Sequence, residues 1–446
     1  MNRSLPLALV LGSLFLIHCG STATNAEGAH AEDAGEDAAK SDTGTSTDTA
    51  SGTEVIADAA PLPPPCTLPS ASLAPGLDPK FTVGTKPRDS GEVGIASAFP
   101  LVDPKGRPVV FGHAAIKRGP AWTWGLMVHR YSSTGEPDAS YSSGARDLLK
   151  DTELEPRAFS GAFDAKGRLV LVGQVRVGPA PTHGEVFVMR LLEDGAIDTS
   201  FASASEHPGV HVHLPTGCAD SSGMQVTTIG TRSYVLANCL LAGTRLLRYD
   251  ANGVLDSSFS PKLATMVRPI AAGDNLYVQT YPGSIVKLRA DGSSDTAFAS
   301  GGTWTPGNAH EIRHVAAAFD AGLLVAHAEP GKHLVELSRL DAKGVPVAGF
   351  GGSYDDTELP VDAIAQRCDR AWASTASWAY GNERASLHFT AKGARDGAWG
   401  PAGVSSKISL IPSGTTVVHS APTIDPKGGV LVAGLLDNQV WLARYY

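Results

Sequence analysis

One twelve-residue phrase recurs along this chain, and it limits the possible folds more than any other feature. "RLLEDGAIDTSF" at 190–201 returns as "RYSSTGEPDASY" (130–141), "RYDANGVLDSSF" (248–259), "KLRADGSSDTAF" (287–298), "RLDAKGVPVAGF" (339–350) and "HFTAKGARDGAW" (388–399). A seventh copy is split between "LARYY", starting its match at Arg444, and "GLDPKF" at 76–81. The closing aromatics Phe81, Tyr141, Phe201, Phe259, Phe298, Phe350 and Trp399 are spaced by 60, 60, 58, 39, 52 and 49 residues. Repetition at such periods means units too small to bury their apolar faces alone, so neighbours must stack.

A second phrase lies between the first: "DPKGRPVVFG" (103–112), "DAKGRLVLVG" (164–173) and "DPKGGVLVAG" (425–434), with weaker forms around Asp274, Asp320 and Asp369. Both phrases join an Asp/Gly turn to runs such as "RLVLVG" and "VFVMRLL". Gly supplies the backbone that tight hairpins need, and the β-branched runs read as strands. Each repeat is then four antiparallel strands, placed in the second repeat at 157–163, 168–174, 185–192 and 195–201, with the first phrase as the hairpin of the two outer strands. Seven such units without a helical period predict an all-β chain, a seven-bladed β-propeller of four-stranded blades. The split copy predicts that strand 76–81 pairs with the C-terminal strands 417–446 and closes the ring, which leaves no exposed edge.

The sevenfold "G-x-x-D-x-x-F" pattern, covering nearly all of 76–446, resembles the bacterial delta-sixty-repeat proteins, which are secreted and propeller-like. That resemblance implies fold and export; it carries no general activity. In the fifth copy Val347 stands where the Asp is expected.

The N-terminus fits export. Arg3, an apolar run from Leu5 to Ile17 and then "LIHCGS" form a signal peptide over 1–19, too short for a membrane span. "LIHC" resembles a lipoprotein lipobox, with Cys19 as the acylated anchor; cleavage near Ala23 is the alternative. Residues 20–65 hold nine Asp or Glu and one Lys with few large apolar side chains, an acidic tether expected to stay disordered. The propeller then occupies 66–446. The tether carries most of the formal charge of −9. This balance argues against nucleic acid and leaves the lipid as the sole membrane contact. The expected address is the outer membrane, periplasmic or surface-facing, or the extracellular space without the lipid, with the protein a monomer.

The repeated basic residue and Asp of each phrase, Arg190 and Asp198 for example, read as hairpin pairs because they recur in nearly every unit, whereas a site needs one constellation. The recurring aromatics read as packing between units. Binding residues are expected on the face bearing the longer segments: "AAIKRGPAWTW" (114–124), "VRVGPAPTHG" (175–184), the segment 202–222, "GGSYDDTELP" (351–360) and "SWAYGNE" (377–383). Candidates there are Trp122, Trp124, His183, His211, His213, Trp304, Asp355, Asp356, Trp378 and Tyr380.

"HEIRH" at 310–314 matches H-E-x-x-H, but four residues along a strand separate two histidines by roughly 13 Å, too far to share a metal. His211 and His213, two apart on an extended segment with Glu206 and His207 upstream, are the better-placed metal candidates for zinc or calcium. No "G-x-S-x-G", phosphate loop or dinucleotide fingerprint is present, and no catalytic residue or obligatory cofactor is assigned.

Besides Cys19 there are four cysteines, an even number suited to an oxidising compartment. Cys218 and Cys239 flank one hairpin and are expected to pair, leaving Cys66 with Cys368. The functional expectation is a binding or interaction module for a protein or carbohydrate. A metal-dependent hydrolase and a lectin-like module stacking sugars on the tryptophans are the alternatives.

Overall fold

The computed structural model describes residues 78, 80–81, 84–85, 92–95, 97–118, 121–141, 148–149, 152–176, 183–263, 265–307, 310–318, 320–355, 361–367, 370–376, 383–397, 408–409, 418–419, 422–424, 429–436 and 439–445. All described residues lie within the unit 56–446. Cys19, Cys66, Asp356, Cys368, Trp378 and Tyr380 lie outside the described residues.

The described residues form antiparallel strands gathered in seven successive sheets, most of them four-stranded. The second sheet sets the pattern: Glu155–Phe163, Leu169–Arg176, Gly184–Leu191 and Val210–His213, each hydrogen-bonded to the next. Its first three strands match the sequence expectation to within two residues; the fourth does not. Within the phrase, Leu191 and Ile197 form a single bridge. The Asp198 amide then bonds back to the Arg190 carbonyl, and the Phe201 amide turns back to the Asp198 carbonyl (both 2.9 Å). That second turn takes the chain off the ladder, so residues 195–201 are a double turn and the outer strand resumes at Val210. The long segments change accordingly. Residues 114–118 and 121–124 extend the paired strands Pro108–Arg118 and Ala121–Arg130 instead of looping, and 202–222 contains the outer strand.

At the chain's two ends, Gly84–Thr85 pairs with Leu442 and Trp441 of the strand Gln439–Tyr445. The Asp78 amide donates to the Arg444 carbonyl at 3.0 Å, and Phe81 turns back on Asp78. The pairing strand is therefore 84–85, while 78–81 carries the same D-x-x-F turn as the other copies.

Apolar cores join neighbouring sheets from the last through the first and on to the sixth. Val109, Phe111 and Leu126 of the first sheet share a core with Leu169, Leu171 and Phe187 of the second. On the opposite face, Val170, Val172 and Val188 pack on Val226, Val235 and Tyr249 of the third. Alternation along a strand sends successive side chains to opposite faces, so a strand buried on both sides reads as continuous apolar residues, as "LVLV" does. Leu431, Ala433 and Leu442 of the last sheet pack on Val110, Ala114 and Met127 of the first. In six sheets the first strand carries a bulge at an equivalent position, between Ala158 and Ser160 in the second, which adds local twist.

The recurring phrase forms the seam between sheets. Arg190 Nε bonds Asp198 Oδ2 at 2.8 Å, and its guanidinium lies 4.5 Å from the Phe201 ring centroid. Nη1 reaches the Ala251 carbonyl of the next phrase at 2.6 Å. The same set recurs for Arg130, Asp138, Tyr141 and the Glu193 carbonyl, and for Arg248, Asp256, Phe259 and the Ala290 carbonyl. Arg444 pairs with Asp78 under Phe81. Backbone bonds run alongside, Ala202 to Asn252 at 2.6 Å and Ala299 to Lys343 at 2.7 Å. Where Val347 replaces the Asp, Arg339 pairs with Asp320 instead, at 2.5 Å.

Candidate functional site

The repeated turn chemistry ends at Phe201, and in the second repeat a longer loop leads from there to the outer strand. Ala202 adopts a positive φ of 47°. The Ser205 amide bonds the Ala202 carbonyl at 2.9 Å, and Ser205 Oγ lies 2.8 Å from the carbonyl oxygens of both His207 and Val210. The Gly209 amide bonds the Phe201 carbonyl at 2.7 Å. This loop thus fills its polar groups internally and holds a fixed wall.

Together with the outer strand, and with Asn252 to Val254 of the next turn, the loop bounds a cleft of about 570 Å³. Glu185, Glu206, His207, His211, Val212 and Val254 are among its lining residues. Among the described residues, the lining contains two carboxylates and no Lys or Arg. His211 packs edge-on to the Tyr249 ring, 5.1 Å between centroids. Burial, then the neighbouring His213, holds its pKa below the ordinary histidine range, so the ring is neutral at pH 7. His213 is lowered by burial against an opposing pull from Glu185. The cleft is therefore an anionic pocket with apolar flanks, and Val210–His213 is the edge strand of its sheet.

Several residues singled out in the sequence gather here. His211 and His213 sit 6.0 Å apart by ring centroid, and His183 Nε2 lies 3.2 Å from Glu185 Oε1. Among the described residues, no third metal-ligating side chain closes around the His211/His213 pair. Glu185 is the residue that sequence reading missed: it lies in an ordinary strand and gains meaning only from the outer strand, whose pairing begins at the next residue, Val186 with His213.

The other candidates are elsewhere. Trp124 lies on the first sheet with the Arg157 guanidinium 4.8 Å over its ring and His113 edge-on at 5.2 Å, so one ring face is already covered. Trp122 stands in register opposite Lys117. Trp304 is buried in the core between the fourth and fifth sheets and offers no exposed platform for a sugar. Asp355 is exposed, opposite Leu334. Cys218 and Cys239 form a disulfide, as their hairpin placement implies.

The family model described as "Domain of unknown function (DUF5122) beta-propeller" matches residues 242–259. No curated protein matches the chain. Among solved structures, a puromycin hydrolase mutant complexed with PGG is 14% identical with a TM-score of 0.39 over 81% of this chain and 52% of its own, so the chain spans about half that hydrolase. An oligogalacturonate lyase in complex with manganese is 10% identical with a TM-score of 0.45, covering 80% and 99% of the two chains. YCF48 bound to D1 peptide is 11% identical with a TM-score of 0.42, covering 85% and 99%.

Proposed function

We propose that the chain is an exported binding module, a closed seven-bladed β-propeller tethered through Cys19, that takes a cationic peptide segment along the Val210–His213 edge. The observation carrying this reading is the anionic cleft beside the outermost strand of its sheet, on which the loop already bonds Val210 through His207 and Ser205. An extended peptide adds a strand to such an edge, and a Lys or Arg side chain meets Glu185 and Glu206. Ring closure is supported by the packing of the last sheet on the first and by the Asp78–Arg444 pair. The repeated ionic residues serve the seams, which leaves them unavailable as a catalytic constellation. The signal sequence and acidic tether support an extracytoplasmic address.

Calorimetric titration of the purified protein with Lys- and Arg-bearing strand peptides and with neutral glycans tests the ligand class. Peptide binding weakened about tenfold by Glu185→Gln and by Glu206→Gln is expected, the loss of one charge-assisted hydrogen bond. Glycan binding without peptide binding, or affinities unmoved by both variants, overturns it. For the anchor, detergent partitioning should be lost in Cys19→Ala.

A further inference from the structure

The fifth sheet brings together three side chains that lie well apart in the sequence. His327 of the strand Leu323–Ala328 stands directly opposite Glu336 of the strand Leu334–Leu340. His310, just before the strand Glu311–Ala317, swings its ring against His327, with the Nδ1 atoms 2.9 Å apart. The H-E-x-x-H pattern thus misleads as to partner: His310 meets His327, not His314. Among the described residues, His310, His327 and Glu336 are the one group of three or more possible metal-ligating side chains whose donor atoms all lie within 4.8 Å of one another.

The outer nitrogens of both rings face oxygen. His327 Nε2 is 2.8 Å from Ser338 Oγ, two residues beyond Glu336 on the same strand face. His310 Nε2 is 3.8 Å from a Glu329 carboxylate oxygen, is buried, and makes no hydrogen bond. Ligating imidazoles are held this way, one nitrogen toward the ion and the other N–H toward an acceptor. Without an ion, a hydrogen bond between the two Nδ1 atoms requires one ring to carry its proton on Nδ1 and the other on Nε2. With an ion, that proton's place is taken by the metal, and each neutral ring carries its single proton on Nε2. Both Nε2–H groups then point at an oxygen, Ser338 Oγ and Glu329.

We propose that His310, His327 and Glu336 form a binding site for a borderline first-row divalent ion of the zinc class. Two imidazoles and one carboxylate suit such an ion, whereas calcium and magnesium favour all-oxygen shells. Tetrahedral Zn–N bonds place two nitrogens about 3.3 Å apart, so the rings part by only a few tenths of an ångström. Trp304 walls the buried side, its ring 6.1 Å from His327, and exposed Glu336 marks the route from solvent. Three protein donors leave a four-coordinate ion one position for water or a ligand. The site lies on a different sheet from the peptide cleft and does not depend on that reading.

The test is titration of the full chain, prepared without a metal-binding tag, with Co²⁺ followed by its visible d–d bands and with Zn²⁺ by competition against a chelator. One equivalent is expected, with intense bands marking four- or five-coordination. His310→Gln and Glu336→Gln should weaken binding about a hundredfold, and Ser338→Ala about tenfold as an outer partner. Because Glu336 is exposed, its variant remains informative if a histidine variant fails to fold. Binding unaffected by His211→Ala and His213→Ala is also expected. Absence of stoichiometric binding by the unaltered chain, binding that survives His310→Gln and Glu336→Gln, or loss on replacing His211 would overturn the assignment.

Discussion

Arg190 donates from Nη1 to the carbonyl oxygen of Ala251, 61 residues further along the chain, at 2.6 Å. The same guanidinium is held from one side by Asp198 and from another by the Phe201 ring, and its side chain is 2% exposed. Burial draws its pKa down from the ordinary arginine value, with the neighbouring Arg168 adding to the fall and Asp198 opposing it. One side chain therefore satisfies its own turn and fastens the next.

Truncating Arg190 should be costly, since it leaves the Asp198 charge buried with its Nε partner gone. Arg190→Met is expected to lower stability by about 3 kcal/mol, measured by denaturant midpoint. Adding Asp198→Asn should recover part of that loss, because it removes the charge then left with Arg168, at 3.4 Å, as its cationic partner. A midpoint unchanged in Arg190→Met would mean the seam is held by apolar packing alone.

The turn glycines separate backbone strain from steric contact. Gly253 has a φ of 77°, and a Cβ there would meet the Phe201 ring and the Ala202 amide nitrogen at 2.8 Å. Gly230 has a φ of 58° with nothing within 4 Å. Gly230→Ala should cost about 1 kcal/mol from the left-handed conformation, and Gly253→Ala about 3 kcal/mol once the overpacking is added. Equal losses in thermal denaturation would show that the Phe201 ring moves aside freely.

His113 is lowered to about 4 by burial, then by Arg157, against a backbone hydrogen bond that raises it. The unfolded chain takes up this proton near its ordinary value of 6.5, the folded chain only near 4. Its contribution is fully present above pH 6.5, declines as pH falls through the interval and levels off below 4. The loss is on the order of 3 kcal/mol. His113→Gln should flatten this acid limb in a series of denaturant melts. An unaltered slope would place the pH dependence on His211, His213 and His327, whose values are displaced in the same direction.

The fifth phrase offers a repair experiment. The Val347 amide bonds the Arg339 carbonyl at 2.8 Å just as the Asp198 amide bonds the Arg190 carbonyl, so the backbone already suits an Asp. Asp320→Ala should destabilise by up to about 1 kcal/mol, the ordinary range for a partly exposed pair. Val347→Asp in that background should restore the midpoint. Failure to restore it would mean Arg339 cannot turn toward position 347.

Much of this architecture is legible in the sequence. The Asp/Gly turns and the runs between them fix three strands of the second sheet, and hairpin placement pairs Cys218 with Cys239. The outer strand is misplaced because "D-x-x-F" reads as strand by composition. Only the return of Phe201 onto Asp198 shows that its aromatic belongs beneath a guanidinium. The sites are less legible for a related reason. Glu185 with His213, and His327 with Glu336, become neighbours through strand register, which no local spacing encodes.

Asp78 and Arg444, 366 residues apart, make their bond at the two extremes of the folded unit, and both are nearly inaccessible to solvent. During synthesis the carboxylate exists long before its partner emerges, so a nascent or truncated chain ending before Arg444 would have to bury an uncompensated charge to complete this junction. Completion of the last strand is thus what allows Asp78 to be buried as half of an ion pair.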